Sequence, residues 1–147
     1  MRNNYFLCLC LLCVFVGCNR GPANMPKLYP ATISITMNDQ PLEGALVACY
    51  PTDDSEWFAG GTTDAQGVAQ LKTKGIYDGI AAGDYKVCVT KAEASPDATE
   101  ERHRAIRIVH SRFETPETTP LMCKIEKSTK NIVLNVEPAP PGDKFED

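Results

Sequence analysis

The sequence predicts an all-β domain, an antiparallel sandwich of about seven short strands. Three observations predict it. The apolar residues repeat every second position, turn residues interrupt them at short intervals, and only one stretch reads as helical. Ile33, Ile35 and Met37 alternate with Thr32, Ser34 and Thr36. Tyr85, Val87 and Val89 alternate with Lys86, Cys88 and Thr90, and Ile132, Leu134 and Val136 with Asn131, Val133 and Asn135. Shorter runs at 45–50, 59–63, 68–72 and 121–125 supply the other strands. The clearest hairpin is Thr63-Asp64-Ala65-Gln66-Gly67-Val68, where Asp64 caps the backbone and Gly67 takes the left-handed conformation. The helical stretch is 98–109 (ATEERHRAIRIV), with Asp97 as its cap; its alternative is a charged loop entering a strand at Ile106 and Ile108.

The ends of the chain are of another kind. Met1-Arg2-Asn3-Asn4 carries one positive charge, and residues 5–16 (YFLCLCLLCVFV) are apolar throughout. Twelve residues are too few to span a bilayer but match the core of an export signal. Phe15-Val16-Gly17-Cys18 resembles the lipobox of bacterial lipoprotein signal peptides, with Phe15 where an aliphatic residue is usual. That resemblance implies cleavage before Cys18 and attachment of fatty acyl chains, such as palmitate, to it. Several acyl chains hold a protein durably on a membrane, at about 0.8 kcal/mol per buried CH₂. The expected division is therefore a signal peptide over 1–17, a lipidated flexible tether over 18–28, the sandwich over 29–137 and a disordered Pro-rich tail over 138–147. The expected location is the bacterial cell envelope, anchored by lipid.

Composition excludes some partners. The chain of 147 residues carries 15 Lys and Arg against 19 Asp and Glu, a net charge of −4. Without Arg2 the processed chain has 14 basic side chains against 19 acidic, a net of −5. Such a balance offers no long-range attraction to nucleic acid. Of the 7 cysteines, Cys8, Cys10 and Cys13 fall in the signal segment and Cys18 is the acylated one. Strand parity then turns Cys49 and Cys123 inward and Cys88 outward. Separate buried thiols are the default, and a Cys49–Cys123 bridge is the alternative.

Three segments, in order, carry a family resemblance: Asp39-Gln40-Pro41-Leu42-Glu43-Gly44-Ala45-Leu46-Val47, then Gly61-Thr62-Thr63-Asp64-Ala65-Gln66-Gly67, then Gly83-Asp84-Tyr85-Lys86-Val87-Cys88-Val89-Thr90-Lys91. They resemble the carboxypeptidase regulatory-like domains, which have a transthyretin-like fold. Arg112-Phe113-Glu114-Thr115-Pro116 through Thr119-Pro120-Leu121 resembles the stretch before the last strands in small bacterial lipoproteins of that group. The resemblance covers 31–136 and implies a transthyretin-like, antiparallel Greek-key β-sandwich. Fold alone does not license a function.

Catalysis is not expected. Transthyretin-related hydrolases end in Tyr-Arg-Gly-Ser and use His and Arg from early strands, whereas this chain ends in Phe145-Glu146-Asp147 and has no His before His103. No Gly-x-Ser-x-Gly motif occurs. His103 and His110 lie among Arg102, Arg104, Arg107 and Arg112, whose charge opposes a metal cation, so neither metal nor cofactor is expected. The alternative is a small hydrolase or metal-dependent enzyme using His103–Arg112. The leading expectation is a binding or structural module for an unknown envelope protein or glycan. Its candidate contacts are Trp57 and Phe58, whose rings can stack on a sugar beside the polar loop Asp53-Asp54-Ser55-Glu56, and Arg104, Arg107 and Arg112, which can meet an anion.

Overall fold

A computed structural model describes residues 22–95, 105–127, 129–143 and 145. Cys18, His103, Arg104 and most of the anticipated helix lie outside the described residues. The described chain is all-β, built from fourteen strands, most of them short. They are β1 (Leu28–Tyr29), β2 (Thr32–Met37), β3 (Gln40–Pro41), β4 (Leu46–Pro51), β5 (Ala59–Thr62), β6 (Val68–Gln70) and β7 (Lys72–Thr73). There follow β8 (Tyr77–Asp78), β9 (Ile80–Ala81), β10 (Gly83–Thr90), β11 (Ala92–Ala94), β12 (Ala105–Arg107), β13 (Met122–Ile125) and β14 (Asn131–Val136). A 3₁₀ turn, Ser111–Phe113, precedes β13.

The larger sheet has the order β13-β10-β4-β5-β7-β8 and is antiparallel. In the smaller one β2 is central, with β14 on one side and β3 and β6 on the other. Two further pairs, β1 with β9 and β11 with β12, are antiparallel. The expected all-antiparallel arrangement fails at one ladder, where β14 runs parallel to β2 in register Ile33 with Ile132 and Ile35 with Leu134. The same alternation suits either direction, so the pattern could not choose between them.

Alternation places the core. Ile33 and Ile35 of β2, Val47 and Cys49 of β4, Val87 and Val89 of β10, Ile125 of β13 and Val136 of β14 belong to one buried cluster that both sheets share. Phe113 enters it from the 3₁₀ turn. Tyr85 is buried with its hydroxyl donating to the Ala81 carbonyl (3.0 Å), and burial pushes its ionisation up to about 12.

Several local expectations change. The Asp64–Gly67 turn forms as read: the Asp64 carboxylate accepts from the Gln66 and Val68 N–H groups, and Gly67 has φ +73°. It does not join a hairpin, however, because β5 pairs with β4 and β7 while β6 pairs with β2, so this turn carries the chain from one sheet to the other. The two-residue turn between β2 and β3 holds Asn38 at φ 52° and Asp39 at φ 61°, left-handed values that glycine would adopt at less cost. Residues 105–107 form β12, pairing Ile106 with Glu93, so at Ile106 the strand alternative forms in place of the helix. Leu28, placed in the tether by sequence, already pairs with Ala81.

The Pro-rich tail is engaged as well. The Ala139 N–H donates to the Ile108 carbonyl and the Arg107 N–H to the Asp143 carbonyl, so 138–143 is held against the chain rather than free. Composition concealed this, since Pro still offers its carbonyl and its neighbours still offer donors. Cys88, expected outward, is 3% exposed. The turn before β13 covers its face: Lys86 on the same face reaches the Thr119 carbonyl, and the nearby Glu117 charge adds to burial in raising the Cys88 thiol to about 11.

Candidate functional site

The described residues present two candidate regions, and the structure treats them differently. The first is the corner around Arg107 and Arg112. The Arg107 guanidinium donates to Glu114 at 2.7 Å and to Asp143 at 3.3 Å, and it lies 4.1 Å over the Phe145 ring. Its hydrogen bond with Glu114 leads the effects that hold it above its ordinary range. Arg112 points elsewhere, to Glu137 at 2.6 Å and over the Phe113 ring at 4.8 Å. The His110 Nδ1 accepts from the Arg112 main-chain N–H, capping the 3₁₀ turn. Each of these groups has an internal partner, so the described part of the basic segment ties β12, the 3₁₀ turn and the tail together. Thr119 completes the corner by donating to the Val87 carbonyl at 2.7 Å and accepting from the Leu121 N–H.

The second region is the outer face of β4 and β5. Val47 and Cys49 are in the core, so Leu46, Ala48 and Tyr50 turn outward. The antiparallel register sets Leu46 opposite Thr62 and Ala48 opposite Gly60, with Lys72 beyond Gly60. One step further along that register Tyr50 meets Phe58, their ring centroids 6.4 Å apart and the planes 25° from parallel. These rings remain 40% and 47% exposed. The small pair Ala48 and Gly60 therefore forms the floor of a trough, with two aromatic rings as one wall and Leu46 and Thr62 as the other. Its open volume is about 650 Å³, with Asp64, Gln70 and Lys72 among the polar groups around it. Gly60 lets β5 approach β4 closely, since a Cβ there would sit 2.5 Å from the Val47 carbonyl oxygen.

The two anticipated aromatic contacts separate. Phe58 lines the trough, but Trp57 is 7% exposed with the Lys74 ammonium 4.1 Å from its ring, so Trp57 presents no free face. Strand alternation explains it: neighbours in sequence face opposite ways, and Trp57 took the inward side. Sequence reasoning missed Tyr50. The loop did not give it away: a hairpin closed symmetrically around 53–56 would set Tyr50 opposite Ala59, whereas the observed register is centred on Asp54 and carries Tyr50 to Phe58. That loop closes on itself, the Asp53 carboxylate accepting from the Ser55 N–H and Glu56 pairing with Lys74 at 3.0 Å.

Cys49, Cys88 and Cys123 are all buried, free thiols. A hydrogen bond with Cys123, then burial, pushes the Cys49 thiol far up, while the same bond lowers Cys123. Among the described residues no three His, Cys, Asp or Glu side chains gather as a metal site. No helix among them is long and apolar enough to cross a membrane.

Comparison with known proteins adds little. No family model matches the chain, and no curated protein does. A solved structure of a 9R-lipoxygenase from Cyanothece PCC8801 aligns with 83% of this chain at 14% identity and a TM-score of 0.36. The chain spans 18% of that enzyme's length, and a likeness at this level carries no argument about fold or activity.

Proposed function

We propose that this chain is a lipid-anchored protein of the bacterial cell envelope whose transthyretin-like Greek-key sandwich, of the carboxypeptidase regulatory-like kind, is a non-catalytic module that binds a glycan. The observation that carries the binding reading is the trough: two exposed, near-parallel aromatic rings beside a floor of Ala48 and Gly60. A pyranose ring has an apolar C–H face that stacks on such rings, while its hydroxyls need donors and acceptors at the rim, here Asp64, Gln70 and Lys72. A binding role fits this face better than a catalytic one fits the arginine corner, where Arg107 and Arg112 are engaged by Glu114, Asp143 and Glu137.

The fold part of the proposal is supported by where the resembling segments fall. Pro41 and Gly44 lie at the passage from β3 to β4, Asp64 to Gly67 carry the chain between sheets, and Gly83 opens the long β10. The anchor part is supported by the sequence ending at Gly17-Cys18 after twelve apolar residues. Two experiments test the proposal. Intact mass of the protein isolated from membranes should correspond to a chain beginning at an acylated Cys18, and Cys18→Ala should leave the detergent phase; retention there would refute the anchor. Soluble oligosaccharide fragments of bacterial envelope polysaccharide should shift the NMR resonances of Tyr50 and Phe58, and shifts confined to other regions would refute the glycan site.

A further inference from the structure

The smaller sheet ends on β14, and part of that edge is open. In a parallel ladder a residue turns both main-chain groups to one neighbour, and the next residue turns them away. The Thr32 N–H donates to the Lys130 carbonyl at 2.8 Å, which assigns Ile132, Leu134 and Val136 to β2. Asn131, Val133 and Asn135 therefore aim their N–H and C=O groups at the opposite side, where among the described residues no strand pairs with them. Past Val136 the same side is taken, because His110 donates to the Glu137 carbonyl and Ala139 to that of Ile108. The open stretch is thus 131–135. It contains no Pro and no charge, the devices that usually protect an edge. Val133 is 66% exposed, and Ile132 and Leu134 stay half-buried although they face the core.

We propose that this edge pairs antiparallel with the same edge of a second copy of the chain, about a two-fold axis at Val133. The strand is complementary to itself. Residues directly opposite in an antiparallel ladder share a face, so core-facing residues must meet core-facing ones. With Val133 opposite the partner's Val133, Ile132 meets the partner's Leu134 and Asn131 meets the partner's Asn135. All three outward-turned residues then form hydrogen-bonded pairs. The half-buried Ile132 and Leu134 of each copy cover those of the other, which joins the two cores along the seam. No like charges are opposed, since Lys130 falls opposite the partner's Val136. Neighbouring registers are worse: centring on Leu134 drives the partner's Asn131 onto the edge that His110 occupies, and centring on Ile132 sets Lys130 against the partner's Leu134.

The axis gives a symmetric test in the full-length chain. Cα atoms of a hydrogen-bonded antiparallel pair are about 5.5 Å apart, within the span of a disulfide. Under mild oxidation in intact cells, Val133→Cys should give a disulfide-linked dimer well above the level of the parent chain. Asn131→Cys and Asn135→Cys should each stay at the parent level alone and cross-link only when co-expressed. Val133→Pro removes an N–H that β2 does not use, so it should keep the folded spectrum and run as a monomer in sedimentation where the parent runs as a dimer. A monomeric parent with no Val133→Cys product would overturn the proposal. Equal cross-linking at all three positions would overturn it too, because that marks collision rather than register.

Discussion

The Arg107 corner and the Tyr50–Phe58 face invert what the sequence advertises. The corner is dense in charge, with Arg107, Arg112, Glu114, Glu137 and Asp143 close together, and each of those arginines is bound to a carboxylate of the same chain. The face is made of Leu46, Ala48, Tyr50, Phe58 and Gly60, residues that would usually be assigned to a core, and it is open to solvent. The lesson is that reactive-looking side chains are committed wherever they have found partners. What is left for another molecule is surface that the fold could not cover.

Truncations should separate the two regions. The largest effect is expected in the corner at Phe113, which is 1% exposed inside the core; Phe113→Ala should cost about 3–5 kcal/mol in denaturant unfolding. A much smaller cost would show that the corner is not part of the fold's support. Next comes Arg107→Ala, which strands Glu114 and Asp143 in a partly buried setting and should cost about 2 kcal/mol. Arg112→Ala, on a more exposed pair, should cost under about 1 kcal/mol, and equal losses for the two would deny that they do different work.

Raising the pH probes the sheet that joins the two regions. Tyr85 ionises near about 12 in the fold against an ordinary 10.0, and Cys88 near about 11 against 9.0. Both prefer their neutral forms in the native state. Their contribution is complete below pH 9 and is lost as the pH climbs toward 12. Unfolding midpoints recorded across that range should fall, and Tyr85→Phe should flatten the upper part of the decline. The smallest effects belong to the face: Tyr50→Ala and Phe58→Ala should each alter stability by no more than about 0.5 kcal/mol beyond the loss of their mutual contact.

The strands were legible where alternation was long. Thr32–Met37 and Asn131–Val136 match the alternating runs residue for residue, and the inward turns of Cys49 and Cys123 followed from parity. Strands of two or three residues, such as Leu28–Tyr29 and Ile80–Ala81, left no pattern to read because their partners define them. The direction of β14 and the separation of β5 from β6 were equally invisible, since both depend on contacts remote in sequence. Parity failed at Cys88 because a turn covers that face, a fact about the turn and not about the strand. Half of the candidate face was legible, through Phe58. Its other half, Tyr50, required the hairpin register to be followed one residue further.

The most direct measurement is calorimetric titration of the folded chain with envelope oligosaccharides, run in parallel on Phe58→Ala, Tyr50→Ala and Arg112→Ala. The account predicts binding that falls at least tenfold, equivalent to about 1.4 kcal/mol, in both aromatic variants and is unchanged in Arg112→Ala. Binding that survives loss of both rings, or that disappears with Arg112, would contradict the assignment of the working surface to the Tyr50–Phe58 face.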